Sequence, residues 1–352
     1  MPSQANGWAA LSAKAKLEPF TFQRRDVGPD DVEIKIAYCG VCHSDVHQAR
    51  DEWDGSTFPM VPGHEIVGHV TKVGSQVTKY KAGDRVGVGC MVDSCLKCRQ
   101  CERGLEQYCV NGASFTYNST EQDKKTPTFG GYSDHVVVRE HFVVSIPENL
   151  DLCAAAPLLC AGVTTFSPLR YWGVKKGTRV GVVGLGGLGH MAVKLANTMG
   201  AEVTVFTRSA YKVEEAKNLG AHHVVNTTNE QEMKSIQGTL DVIVDTVGMS
   251  HDLRPYMMTL DVDGKLALVG MPENAHPPLD PRRMISFRQC VGGSNIAGMP
   301  ETQELLNFCG EHNITATVEK INIEDINDAY ERMLKSDVRY RFVIDMESLK
   351  KA

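Results

Sequence analysis

Hydrophobic and polar positions follow two rhythms along this chain. From Val32 to about Val144, short runs of β-branched residues (32–36, 66–73, 85–89, 135–138) alternate with turn signals. Glycines punctuate them at Gly40, Gly55, Gly63, Gly68, Gly74 and Gly83. This texture predicts an irregular β-rich domain. From about Gly177 the rhythm changes. Residues 179–183 form a continuous apolar run, followed by glycines and a helical pattern to Met199. Further strands are predicted at 203–206, 223–225, 242–245 and 265–269, with a helix at 211–219. Apolar strands alternating with helices predict a doubly wound parallel sheet covered on both faces. Beyond about Ile296, helices are expected at 301–311 and 323–335 and a strand at 340–345. That tail is a candidate to return to the first domain.

Size and composition narrow the classes. The 352 residues suit two domains, and the apolar (42%) and charged (23%) fractions are those of a globular protein. No run of 18 apolar residues predicts a membrane span. A net charge of −6 without a basic block argues against a nucleic-acid partner. The first 17 residues read as polar, without a signal peptide or apolar core segment. The chain is therefore expected in the cytoplasm.

Cys95, Cys98, Cys101 and Cys109 are spaced C-x2-C-x2-C-x7-C. Four thiolates so close in sequence can surround one tetrahedral zinc at about 2.3 Å. A disulfide knot belongs to small secreted chains, and 11 cysteines is an odd number. Iron–sulfur runs with this start continue x3-C-P, whereas here Val110 follows the fourth cysteine. The reading is a structural zinc site, closed to substrate and serving to fold a loop.

Gly184-Leu185-Gly186-Gly187-Leu188-Gly189 matches G-x-G-x-x-G. The pattern alone also fits an ordinary strand–helix turn. Its place after a strand and before a helix points to dinucleotide binding, with the pyrophosphate at the helix N-terminus. An NAD site usually ends its second strand in Asp or Glu. Here that strand ends in Thr207-Arg208-Ser209, with Lys212 close behind. Hydroxyls and two cations suit the 2′-phosphate of NADP; the competing reading is a solvated loop.

The order of motifs along almost the whole chain resembles the zinc-dependent medium-chain alcohol dehydrogenases, within them the cinnamyl alcohol dehydrogenase branch and its broad-range NADPH aldehyde reductases. The resemblance rests on Gly63-His64-Glu65-Ile66-Val67-Gly68, the Cys95–Cys109 lobe, residues 160–168, the glycine loop and Arg339-Tyr340-Arg341-Phe342-Val343-Ile344-Asp345. It implies an α/β fold: an irregular β-rich (GroES-like) catalytic domain over 1–157 and 297–352, and a doubly wound parallel-sheet Rossmann domain over 158–296 that binds NADP(H). It also implies two zinc ions per chain, a catalytic one on Cys42, His64 and Cys160 with Glu65 as an occasional ligand, and a structural one on the four-cysteine lobe. Arg341 is expected to pair with Glu65, and Asp45 to orient its neighbours. Ser44 would pass a proton, relayed through the cofactor ribose and His47 to solvent. Thr164, Thr246, Gly270, Ser294, Asn295 and Ile296 would contact the cofactor. Trp53 and Phe115 would line the substrate pocket.

The pocket departs from the lignin-pathway members. Phe115 stands where they carry Trp, Trp53 is bulkier than its counterpart, and Asn295 replaces a phenylalanine. A broad range of aldehydes and primary alcohols is expected, because apolar pockets discriminate by only about 1–3 kcal/mol per methylene. The branch implies a homodimer joined through cofactor-domain edge strands, here within 265–291. Two other functions compete. A zinc-independent C=C (quinone or enone) reductase would lack the ligand set. A non-enzymatic dinucleotide sensor would have no use for an open metal site.

Overall fold

The computed structural model describes residues 3–209 and 211–350; the outermost residues of the expected first domain, 1–2 and 351–352, lie outside that range. The chain divides into two compact units, Met1–Val163 with Ala297–Ala352, and Thr164–Ile296. The first boundary falls after Val163 rather than after residue 157. Packing explains the difference: Leu158 and Leu159 are buried, and Leu159 lies against Gly87 and Gly89 beside the strand Arg85–Val88. The stretch leading to Cys160 thus belongs to the β-rich unit.

That unit is built on a seven-stranded sheet. Val144–Ser145, Arg85–Val88, Ile66–Val73, Asp31–Gly40, Arg341–Asp345 and Val318–Asn322 lie side by side, with His135–Arg139 also paired to Asp31–Gly40. Val32, Ile34 and Ile36 alternate into the core from the central strand, each burial contributing roughly 1.5–3 kcal/mol. The tail returns here: Arg341–Asp345 runs antiparallel to Asp31–Gly40 and parallel to Val318–Asn322. The helix expected over 323–335 starts as a 3-10 turn, Ile323–Asp325, and continues as the α-helix Ile326–Leu334.

The N-terminal segment differs from its sequence reading. Ser3–Ala9 is a strand paired with Glu18–Arg24, and Ala5, Trp8 and Ala9 are buried. Most of its buried residues are small, so its hydrophobic signal is weak. Arg24 locks the hairpin down. Its guanidinium donates to the carbonyls of Phe129 (2.6 Å), Gly130 (3.0 Å) and His135 (3.1 Å) and to Ser133 Oγ (2.9 Å).

The second unit is a six-stranded, all-parallel sheet in the order His223–Asn226, Glu202–Thr207, Arg179–Val183, Leu240–Asp245, Leu260–Leu268, Cys290–Gly293. Val183, Phe206, Val225, Ile243, Leu260 and Leu266 build its core. Strand order reverses at Arg179–Val183, so the crevice at the carboxyl ends opens between it and Leu240–Asp245, where such sheets bind ligands. Leu260–Leu268 is an interior strand; the edge within the segment expected for dimerisation is Cys290–Gly293. Among the described residues no single helix is long and apolar enough to cross a membrane.

One buried carboxylate fastens the cysteine lobe to the rest of the first unit. Glu106, in the 3-10 turn Glu106–Tyr108, is 1% exposed. It accepts from Met299 N–H at 3.0 Å, at the start of the helix Met299–His312, and meets His141 Nε2 at 2.7 Å. Burial opposes its ionisation, but the hydrogen bonds from His141 and the Met299 amide outweigh it and hold its pKa below the ordinary 4.5. A depressed carboxylate stabilises the fold above its unfolded pKa, and that contribution disappears as pH falls through the folded value. Glu106→Gln is expected to cost roughly 1–3 kcal/mol at neutral pH. The gap between variant and wild type in urea melts should narrow below pH 4.5. A gap constant down to acid pH would show that the charge contributes nothing.

Candidate active site and cofactor loop

In the first unit Cys42, His64, Glu65 and Cys160 converge, their donor atoms all within 4.8 Å of one another. Cys42 precedes the helix His43–Arg50, His64 and Glu65 enter the strand Ile66–Val73, and Cys160 follows the 3-10 turn Ala156–Leu159. All four side chains are buried. The two sulfurs stand 3.8 Å apart, which is the edge of a tetrahedron with zinc–sulfur bonds of about 2.3 Å, close to 3.8 Å. The Cys160 thiol donates to Cys42 and draws it well below the ordinary thiol value; against burial, Arg341 and His64 act in the same direction. The donor set and spacing fit a zinc ion.

Asp45 shapes this centre. It is fully buried and accepts from the amides of Cys42 (2.8 Å) and Gly63 (3.1 Å) and from Tyr132 Oη (3.2 Å). His64 Nδ1 lies 3.2 Å from its Oδ1. A proton on Nδ1 leaves the Nε2 lone pair for a metal, the arrangement that orients zinc-binding imidazoles. Glu65 pairs with Arg341 through Oε1 and leaves Oε2 buried without a hydrogen-bond partner among the described residues. Burial raises its pKa to about 7, against the pull of Arg341. Gly40 makes room for this carboxylate, since a Cβ there would sit 1.9 Å from Glu65 Oε2.

Ser44 and His47 share the helix His43–Arg50. Ser44 Oγ is 3.6 Å from Cys42 Sγ. His47 Nδ1 meets Glu52 Oε2 at 2.6 Å, and its ring stacks on Trp53 at 4.8 Å. Phe115 is 44% exposed on the short strand Ser114–Phe115. A further aromatic ring, Tyr117, is buried and stacked on His64 at 5.8 Å. It lies two residues beyond Phe115, and no local pattern in the sequence distinguishes it. The role of Glu52 beside His47 is likewise visible only in the fold.

Cys95, Cys98, Cys101 and Cys109 form the second cluster, again within 4.8 Å. Their Sγ separations include 3.5 Å (Cys98 to Cys101) and 3.9 Å (Cys95 to Cys101). The amides of Cys101 and Val110 lower Cys98 to about 6, favouring the thiolate that zinc requires. The cluster fits a closed four-sulfur site.

In the second unit the glycine loop joins Arg179–Val183 to the helix Gly189–Thr198. Gly184 has φ +87°, and a Cβ at Gly189 would lie 2.1 Å from the Gly184 carbonyl. The protein's own packing therefore demands both. It makes no such demand of exposed Gly186, where a Cβ would meet nothing within 4 Å. Glycine at that position suits the close approach of a pyrophosphate. Lys212 Nζ donates to the Leu185 carbonyl at 3.0 Å, which brings the strand end and the loop together. Arg208 is exposed at that end, and no carboxylate stands at 207–209. Thr207 Oγ1 accepts from Ser209 N–H at 3.1 Å, closing the turn. Thr246 Oγ1 donates to the Val183 carbonyl at 2.7 Å, and a Cβ at Gly270 would strike the Val247 carbonyl at 2.3 Å. Ser294, whose amide donates to the Leu268 carbonyl at 3.0 Å, leads into Asn295 and Ile296 after the edge strand. Thr164 is buried in the helix Ala161–Tyr171.

Comparisons with known proteins agree with this anatomy. The chain matches the alcohol dehydrogenase GroES-like domain family over residues 28–148 and the zinc-binding dehydrogenase family over 187–311. It is 52% identical to the NADP-dependent alcohol dehydrogenase C of Mycobacterium bovis, over 99% of this chain and 100% of that one. It is 53% identical to the aldehyde reductase YahK of Escherichia coli, over 97% of each. Among solved structures it is similar to a cinnamyl alcohol dehydrogenase of Sorghum bicolor (TM-score 0.95, 44% identity, 98% of both chains). Another is the CAD of Helicobacter pylori complexed with NADP(H) (TM-score 0.92, 43% identity, 99% of both). With two cysteine-bearing metal sites in one unit and a dinucleotide fold in the other, the chain belongs to the zinc-binding alcohol dehydrogenase family.

Proposed function

We propose that the protein is a zinc-dependent oxidoreductase that reduces aldehydes to primary alcohols, reversibly, with NADP(H). The observation that carries this reading is the convergence of Cys42, His64 and Cys160 on one point. Three protein ligands of this kind make a catalytic zinc set with an open position. Zinc held there supplies Lewis acidity toward a carbonyl or alcohol oxygen, and NADP(H) at Gly184–Gly189 supplies or accepts the hydride.

The chain's own residues do the rest. Ser44 Oγ, beside Cys42, exchanges the proton of the substrate oxygen. His47, held by Glu52 and Trp53, takes that proton toward solvent. Thr164, Thr246, Gly270, Ser294, Asn295 and Ile296 contact the cofactor, and Trp53 and Phe115 line the substrate pocket, joined by Tyr117. The four-cysteine lobe holds a structural zinc. We place the protein in the cytoplasm, where thiols such as those of the two clusters stay reduced.

NADPH oxidation against a panel of aldehydes should be fast in the wild type. In Cys160→Ala it should fall about a thousandfold, because several kcal/mol of charge stabilisation is lost. No turnover of any aldehyde by the zinc-replete wild type would refute the reading and favour a C=C reductase or a sensor. For the cofactor, Arg208→Ala should raise the KM for NADPH roughly ten- to a hundredfold, the value of a charge-assisted bond. It should leave the KM for NADH unchanged. Equal effects on both would remove Arg208 from the 2′-phosphate site.

Among the described residues the strand Cys290–Gly293 has a neighbour on one side only. We assign it to a homodimer in which the two edges pair. Val291→Pro removes a donor from that edge and should shift the mass in light scattering from dimer to monomer. An unshifted mass would place the interface elsewhere.

A further inference from the structure

We propose that Asp245, His251 and His276 form a binding site for a divalent first-row transition-metal ion, in the second unit and independent of the catalytic reading. Asp245 ends the strand Leu240–Asp245 and is 1% exposed. Its Oδ1 accepts from Val247 N–H at 3.1 Å. Its Oδ2 faces His251 Nε2 at 3.1 Å. Both of these atoms are buried, and neither makes a well-formed hydrogen bond among the described residues, although the carboxylate raises the pKa of His251 above its ordinary value.

The tautomers explain why this contact needs a third body when His251 is neutral. His251 Nδ1 lies 2.9 Å from the Met249 carbonyl. A carbonyl only accepts, so Nδ1 carries a proton and the neutral ring turns its Nε2 lone pair toward the carboxylate. Two acceptors at that distance repel unless a positive species lies between them. Metal–nitrogen and metal–oxygen bonds of about 2.0–2.2 Å separate two donors by about 2.9 Å at a right angle and about 3.4 Å in a tetrahedron. The observed 3.1 Å lies in that interval.

His276 completes the set, with a ring nitrogen within 4.8 Å of the other two donors. Its Nδ1 can accept from the His251 amide at 3.3 Å in one tautomer or donate to the His251 carbonyl at 3.1 Å in the other. Binding through Nε2 selects the tautomer in which Nδ1–H donates to that carbonyl. A backbone carbonyl on the far nitrogen is what orients metal-binding imidazoles, and both rings have one. Tyr256 and His276 each pack edge-on against His251, at 5.8 and 4.9 Å, so the central ring is held in place. Two imidazoles and one carboxylate suit zinc, copper, nickel or iron and not calcium or magnesium. The competing occupant is a proton on His251 Nε2.

Zinc content decides between them. Zinc-replete wild type, His251→Ala and His276→Ala would be dialysed against buffered free Zn²⁺ and the metal counted per chain by mass spectrometry. Circular dichroism would establish that each variant is folded, with His251→Gln and His276→Asn as replacements for one that is not. The wild type should carry one zinc equivalent more than either variant. Equal content in all three, or an additional equivalent that survives either substitution, would overturn the site and leave the proton as occupant.

Discussion

The ion pair between Glu65 and Arg341 is the contact on which the catalytic unit turns. Its partners are 276 residues apart in sequence and both are buried. A buried charge without a partner costs several kcal/mol, and removing one member of such a pair costs about 3–5 kcal/mol. The C-terminal tail therefore has a strong reason to lie where it does. Arg341 opens the strand Arg341–Asp345, which pairs with the far end of Asp31–Gly40 through Val343–Gly40, Ile344–Cys39 and Asp345–Tyr38. That end leads directly into Cys42. One pair thus joins the strand before the first ligand, the loop carrying the second and the end of the chain. Gly40 is part of the same solution, because any side chain there would displace the carboxylate.

Asp45 imposes the second constraint. Its two oxygens hold the amide of Cys42, the amide of Gly63, the hydroxyl of Tyr132 and the ring of His64. A buried carboxylate so fully engaged is both affordable and rigid. It fixes the backbone on either side of two ligands and the tautomer of one. Precision at the metal site thus comes from a helix first turn and a loop tied together, and the ligands themselves need no local sequence relation.

This division explains what the sequence revealed. The glycine loop and the four-cysteine lobe are local in sequence and structure, so spacing identified the chemistry of the lobe, and spacing with its place between a strand and a helix identified that of the loop. Cys42, His64 and Cys160 are distant from one another, and only the order of motifs shared with a family linked them. Most strands of the parallel sheet were legible because burial on both faces demands continuous apolar runs. Cys290–Gly293 was not, since two of its four residues are glycine. Ser3–Ala9 was hidden by small buried residues and is held by Arg24 from the neighbouring strand. Tyr117 was hidden because it lies in the bend between two short strands, where no periodicity says which ring meets a histidine 53 positions earlier.

Charge balance connects these constraints. Two thiolates would offset a divalent ion held there, and Glu65 offsets Arg341, so the centre can be neutral although it is made of ions. Arg341 is already short of one partner, its Nε being buried without an acceptor. If Glu65 left it, the guanidinium would keep only the sulfurs of Cys42 and Cys160 as counter-charges, and the two thiolates would face a third anion. Glu65 Oε2 nevertheless has no hydrogen-bond partner among the described residues. The carboxylate is thus anchored through one oxygen and available through the other. Such an arrangement lets Glu65 answer changes in charge at Cys42 and Cys160 without breaking the pair that holds the tail in place.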